Sequence, residues 1–476
     1  MMNPSGVSAT TDIYEKSPFY AYLALAAALL AWTFDGVEQG VYGIMTRPAL
    51  IDLIPDITKL NQQQKELRTQ ITDLTRRGEA TERLKQQAVE LKKKIDGPVG
   101  RFFSWALAMW LWGAAVGGVL FGRMGDRYGR VRSLIFAVIV YSGFTGISAF
   151  STHWSHLVIC RFLGAIGLGG AWPLSVALMV ETWPERHRSV LAGLMGAGAN
   201  VGFLIASLYS RWLTDPIDGL GLNWRWVIGM GCVIGLCSLP IIYWVPEPTK
   251  WRLSREKKQR SSLLDLFVPA YRRSTIVGSL LSTVGLLGTW GAFLWLPAYV
   301  DQLAQGTAFE SVARSRVAEY QAYGQIIGGF MGGVIAGLLG NKFSWCLLCV
   351  TAWASVVSLF GFNSSYGTQM LWMGAFAGLF VTAFFGWLPK FLPELYPTRI
   401  RATGQGFSFN IGRVLAGIGV LFTGSLVDYF GGNYSKGVMI TASVYLLGLI
   451  VILFAPNTRG RMISDEEDEA RLAEER

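Results

Sequence analysis

Twelve stretches of this chain are apolar for about 20 residues at a time, each long enough to cross a ~30 Å hydrocarbon core. In lipid, backbone polar groups must be satisfied within the segment, so runs of this kind read as helices. They fall near 19–47, 101–121, 132–151, 157–180, 189–212 and 225–245, then near 274–300, 317–340, 343–362, 368–391, 403–429 and 435–455. Composition points the same way: 51% of the 476 residues are hydrophobic and 16% are charged, against about a quarter in soluble domains. The first 18 residues are polar and show no cleavable signal, so helix one is expected to stay in the mature protein.

The formal charge of +10 does not call for a nucleic-acid partner, because Lys and Arg sit in short connections between apolar runs. The 122–132 loop holds Arg123, Arg127, Arg130 and Arg132, the 181–188 loop adds Arg186 and Arg188, and 247–273 holds eight more. Alternate connections, such as 151–156 and 363–367, have none, which places both termini in the cytoplasm. The acidic end SDEEDEARLAEER reads as a solvated tail. Cys346 and Cys349 form a CxxC, but it lies inside SWCLLCVTAWASVV with no His nearby, so packing is the expected role.

The two sets of helices share a register. ETWPERHR (181–188) and ELYPTRIR (394–401) repeat Glu, an aromatic, Pro and two Arg at an offset of 213 residues. At an offset of 211, Gly122-x3-Asp126-Arg127-x-Gly129 aligns with Gly333-x3-Gly337-Leu338-x-Gly340, keeping the glycines and losing the charges. Duplication at half the chain length marks a transporter built from two repeats. The expected fold is therefore an all-α membrane protein, with twelve transmembrane helices in two six-helix pseudo-symmetric bundles and an extracytoplasmic helical hairpin insertion. The expected organisation is a cytoplasmic segment 1–18, a bundle 19–246 interrupted by an insertion 55–100, a cytoplasmic linker 247–273, a bundle 274–456 and a cytoplasmic tail 457–476.

GRMGDRYGRVRSL (122–134) resembles the signature loop of the major facilitator superfamily. RFLGAIGLGG (161–170) and the two ExxPxxxR elements resemble its sugar-porter and metabolite:proton symporter branches. The resemblance implies that Gly122, Asp126, Arg127, Gly129 and Arg130 latch one conformational state. It also implies that Glu181 with Arg188, and Glu394 with Arg401, form cytoplasmic gate networks; helix-end capping is the plainer alternative.

The insertion 55–100 departs from that family, which has a short loop here. Apolar residues at Ile57, Leu60, Leu67, Ile71 and Leu74, with Gln64 between them, follow a 3–4 spacing. The spacing breaks near Gly78 and resumes at Leu84, Ala88, Leu91 and Ile95. Two helices of an antiparallel coiled coil would project ~27 Å outside the cytoplasm, at 1.5 Å per residue. They would recruit a protein partner or self-associate, or form an appendage without a role in transport.

FDGVEQG (34–40) places Asp35 and Glu38 inside the first apolar run. Asp35 lies ~24 Å along that helix and Arg161 ~6 Å into the fourth, which runs the other way, so either acid matches Arg161 in depth. Charges within membrane helices pair or line a water-filled cavity. In proton-coupled sugar porters an acid on helix one titrates opposite this Arg, so the resemblance implies proton coupling at Asp35 and Arg161, with Glu38 a second candidate. A static ion pair is the alternative. Arg413 lies ~15 Å into helix eleven, near the midplane where transporters bind substrate. Its counterpart at offset 213 is Asn200. A guanidinium there suits a carboxylate, and the Gly-Arg pair resembles organic-acid symporters. Packing against backbone carbonyls is the alternative. Gln39, Asn410, Trp290, Tyr323 and Gln325 complete the candidate substrate residues; TWGAFLWLPAYV (289–300) resembles the sialate and aromatic-acid groups.

These readings point to a proton-coupled symporter of a small organic anion in the lipid bilayer, and the resemblance implies a bacterial inner membrane. A proton-coupled sugar or polyol carrier and a transport-like sensor or scaffold using the hairpin are the alternatives. No nucleophile–base set, phosphate-cradling loop or metal cluster is evident, so neither enzyme activity nor a cofactor is expected.

Overall fold

The computed structural model describes residues 18–77, 82–214, 220–256, 262–304, 313–430, 433–458, 461–464 and 467–468. Among the described residues there is no strand, and twelve helices are long and apolar enough to cross a membrane. The first six spans are Phe19–Thr46, Trp105–Tyr128, Arg130–Ser148, Trp154–Thr182, Ser189–Thr214 and Trp224–Tyr243. The second six are Pro269–Ala292, Arg316–Leu339, Asn341–Phe362, Thr368–Leu395, Thr398–Val427 and Tyr434–Phe454. Each set packs into a bundle. The bundles meet where span two lies along span eleven and span five along span eight.

Glycine makes those meetings close. A Cβ on Gly196 of span five would run into the backbone of Gly329 and Gly386, so the two bundles approach there with backbone against backbone. Gly129 and Gly340, the glycines aligned by the internal repeat, open spans three and nine with φ of 118° and 78°. Only glycine adopts that region without strain, which is why the spacing persists where the charges do not. Gly333 and Gly337 lie against Ser189 and Gly193 of span five, just as Gly122 lies against Ala402 and Thr403 of span eleven.

The first helix runs on to Leu53, a second spans Pro55–Arg76, and a third extends from Glu82 to Tyr128 without interruption. The expected second arm of the insertion and span two are thus one 47-residue helix. Ile57, Gln64 and Ile95 are buried, and Leu60, Leu67, Ile71, Leu74, Leu84, Ala88 and Leu91 are half-buried, while most described residues between them are exposed. Leu50, Ile57 and Ile95 form one cluster with Phe102 and Trp154 packed on it.

Asp52 fastens the base of this insertion. It accepts from Arg225 Nη1 at 2.7 Å and Trp224 Nε1 at 3.1 Å, while Arg225 Nη2 reaches the Ser151 carbonyl at 2.9 Å. The hydrogen bond from Arg225 holds the Asp52 carboxyl below its ordinary value. A depressed folded-state pKa contributes stability above the unfolded value of about 3.9, and loses it as pH falls through the lower folded value. Because both side chains are partly solvated, the contribution is expected to stay below about 1 kcal/mol. Hydrogen exchange at residues 50–57 is therefore expected to be faster in Asp52→Asn than in wild type at pH 7. The difference should shrink as pH falls through the lowered folded value of Asp52 and vanish only below it, where wild type is protonated too.

One described residue of the acidic tail, Asp468, is not solvated. Asp468 is buried, accepting from Arg399 Nε at 2.7 Å and from the Tyr271 hydroxyl, and Arg399 also pairs with Asp265 of the linker at 2.6 Å. One acidic residue has left water because a cation and a phenol together replace its hydration.

Candidate functional site

Among the described residues, one buried charged centre lies at the basic end of the bundles and another lies deeper. At the basic end Arg130 is fully buried and donates to Glu181 Oε2 at 3.0 Å and Oε1 at 2.9 Å. It also donates to Asp126 Oδ1 at 2.8 Å, the Gly125 carbonyl at 2.7 Å and, across the bundle interface, the Thr398 carbonyl at 3.0 Å. Asp126 crosses the same interface. Its carboxylate accepts from the backbone N–H of Ala402 (3.2 Å) and Thr403 (2.8 Å) and from the Thr403 hydroxyl (2.6 Å). An anion is thereby set on the N-terminus of the helix Arg401–Tyr429, where four N–H groups lack helical partners and the dipole is positive. Arg401 reaches back to Glu181 at 3.2 Å.

Glu247, not singled out from the sequence, caps span three. It accepts from the N–H of Arg130, Val131 and Arg132 at 2.7, 3.2 and 3.0 Å. Burial raises its carboxyl above the ordinary value, against those donors. Other gate candidates sit elsewhere. Arg127 is exposed over the Tyr128 ring and takes no part in the buried network. Glu394 accepts from Asn341 Nδ2 (2.8 Å) and Thr458 Oγ1 (2.5 Å), with Lys390 Nζ at 3.6 Å. The side chain of Arg188 lies outside the described residues.

The deeper centre begins on span one. Three residues of helix rotate Glu38 by about 60° from Asp35, so the two acids meet different neighbours. The expected facing of Asp35 and Arg161 is corrected here: Arg161 Nη1 donates to Glu38 Oε1, which also accepts from the Thr145 hydroxyl at 2.6 Å. The Arg161 guanidinium lies 3.8 Å from the Tyr42 ring centroid and 5.7 Å from that of Trp110. Asp35, fully buried, has one oxygen bonded by Gln39 Nε2 at 3.2 Å and the other without a partner. The charges that act on it are those of Arg413, Glu38 and Arg161.

Arg413 is 3% exposed and reaches this region from span eleven. Its Nη1 donates to Asn410 Oδ1 at 3.1 Å, and its guanidinium stands 5.1 Å from the Phe409 ring and 5.7 Å from Trp110. Among the described residues no carboxylate comes within ion-pair distance of it. Asn410 is itself held by the Gly406 and Gly169 carbonyls at 2.9 and 3.3 Å, which ties spans four and eleven together beneath the cation.

Trp110 links the two arginines, since its ring lies against both, and it packs 5.5 Å from Trp290 with its own indole N–H unpartnered. Trp290 belongs to a π-helical segment, Leu287–Ala292. Sequence reasoning missed Trp110, and no spacing marks it among 18 tryptophans. It also missed Gln405, fully buried on span eleven with neither amide atom bonded. Two candidates move away from the centre. Tyr323 is 47% exposed, because glycines at 324 and 328 are what span eight turns toward span ten. Asn200 gives its amide N–H groups to the Gly196 and Gln325 carbonyls at 3.1 and 3.4 Å, joining spans five and eight. The Gln325 side chain is half-buried.

Residues 97–315 match the family model described as Major Facilitator Superfamily. The 3-(3-hydroxy-phenyl)propionate transporter of Escherichia coli is 30% identical over 358 residues, covering 75% of this chain and 84% of that protein. The cis,cis-muconate transport protein of Acinetobacter baylyi is 27% identical over 352 residues, 72% and 82% of the two chains. Among solved structures, a proton:xylose symporter superposes with a TM-score of 0.66 at 18% identity, covering 95% of this chain and 98% of that one.

Proposed function

Because this chain belongs to the major facilitator superfamily and is an integral membrane transport protein rather than an enzyme, we propose that it moves a small organic anion by proton symport and alternating access. The observation that carries the reading is Arg413, a buried cation at the meeting of the bundles with no carboxylate of its own among the described residues. A charge in that position needs a counter-charge or water, and a carboxylate substrate supplies the first in the planar, bidentate form that a guanidinium accepts.

Asp35 then acts as the competitor. Ionised, it neutralises Arg413 from a distance while the site is empty. Protonated, it releases Arg413 to the substrate anion, so proton and anion enter together and leave together. Glu38 is engaged by Arg161 and Thr145, which leaves Asp35 as the freer carboxyl. The bundles 19–246 and 274–456 rock about this centre. The Asp126–Arg130–Glu181–Arg401 network holds the basic end closed in one state and parts in the other. The basic loops favour both termini facing the cytoplasm, in a bacterial inner membrane.

Uptake into proteoliposomes tests this with labelled cis,cis-muconate, 3-(3-hydroxyphenyl)propionate and xylose, with and without an inward proton gradient. The expected result is gradient-driven accumulation of an acid. In Asp35→Asn accumulation should be abolished while acid–acid exchange continues, because a permanently neutral residue still frees Arg413 but carries no proton. Continued proton-driven accumulation in that variant would reject Asp35 as the coupling site, and accumulation of xylose alone would reject the anion reading.

A further inference from the structure

On the outer surface of the second bundle, the start of span seven and the end of span twelve leave a groove of about 480 Å³ between them. That is within the ~300–1,000 Å³ of ordinary ligand sites. Its walls are apolar, with Ile276, Leu280, Ile450 and Phe454 among them, and its head carries Arg272 and Arg273. Ile276, Leu280 and Phe454 are 50%, 42% and 58% exposed, so the walls face outward to where hydrocarbon lies. Arg273 Nε donates to the Phe454 carbonyl at 3.0 Å, which pins that side chain across the two helix ends. Among the described residues, the terminal nitrogens of Arg273 and the whole guanidinium of Arg272 have no protein partner.

We propose that this groove binds an anionic phospholipid. Its phosphate sits on Arg272 and Arg273, and an acyl chain runs along Ile276 and Leu280 against span twelve. Two adjacent guanidiniums at the head of an apolar channel match a phosphate joined to a hydrocarbon chain. A soluble phosphate satisfies the cations but leaves the walls uncovered; a neutral lipid does the reverse. Phe454 stands at the same level as the cations, the depth at which aromatic side chains meet headgroups. The bound lipid bridges spans seven and twelve where the linker enters the second bundle.

Native mass spectrometry of the purified full-length protein, titrated with phosphatidylglycerol, phosphatidylethanolamine or inorganic phosphate, tests the proposal. Wild type is expected to hold phosphatidylglycerol in preference to phosphatidylethanolamine, and millimolar phosphate should not displace it. The double variant Arg272→Gln/Arg273→Gln should lose roughly tenfold or more in phosphatidylglycerol affinity and fall to the level of phosphatidylethanolamine. Ile276→Trp, which fills the channel and keeps both cations, should weaken both lipids. All of these side chains are exposed, so melting temperatures should stay close to wild type. Phosphatidylglycerol binding that is unchanged in both variants, or that phosphate displaces, would overturn the proposal.

Discussion

Replacing Arg130 by alanine is expected to release the basic end of the two bundles, at a cost of about 3–5 kcal/mol, the range for removing one partner of a buried ion pair. All five of its N–H donors are used: three on Glu181 and Asp126, one on Gly125 and one on Thr398 of the opposite bundle. Without it Glu181 keeps Arg401, while Asp126 keeps only the donors of Ala402 and Thr403 to offset its burial. The measurement is thiol labelling at Ala402→Cys in a background freed of native cysteines. Ala402 is fully buried and faces Gly122 across the interface, so labelling should be slow in the parent and faster by roughly two orders of magnitude or more in Arg130→Ala. Arg130→Lys should fall between, because an ammonium supplies the charge but not the five-donor fork. Equal labelling in all three would show that this network does not hold the basic end closed.

Loss of Arg413 is the second large effect. Truncating one side of a desolvated charge pair costs about 2–5 kcal/mol, so Arg413→Ala should weaken equilibrium binding of the transported acid at least about thirtyfold. The variant also leaves Asp35 buried with only the more distant charge of Arg161, which Glu38 already engages, and part of the loss will appear as reduced stability. Adding Asp35→Asn removes that stranded charge. The double variant is expected to recover melting temperature without recovering acid binding, which separates the structural effect from the recognition effect. A double-mutant cycle on stability should show strong coupling between positions 35 and 413 and weaker coupling between 35 and 161. The reverse order would return Asp35 to the Arg161 centre and remove the basis for direct competition at Arg413.

Much of this molecule is legible in its residues alone. Span positions follow from local hydropathy, since each apolar run must satisfy its own backbone in lipid whatever its neighbours are. The glycines at 129 and 340 are identifiable from the repeat, because a left-handed backbone requirement is a property of one residue. Asp126 with Arg130, Glu181 and Arg401 stand out as members of three motifs in distant segments, and the fold brings them into one network across the bundle interface. What the motifs leave open is partnership. Arg127 carries the same charge as Arg130 and lies in the same loop, yet helix rotation turns it to solvent.

The deeper centre is less legible for the same reason. Asp35 and Glu38 match Arg161 equally well in depth along the chain, and depth is all that residue counting supplies. Which acid meets the arginine depends on the rotation of span one against spans three and four, and packing sets that rotation. Trp110, the ring shared by Arg161 and Arg413, has no signature, because its role exists only where spans two, four and eleven converge. The sequence alone therefore determined the membrane-spanning architecture, the duplication and the inventory of buried charges, since each rests on hydropathy or backbone geometry within a segment. Only the tertiary structure decided which charges face one another, because an ion pair is set by distances of a few ångströms between helices far apart in the chain.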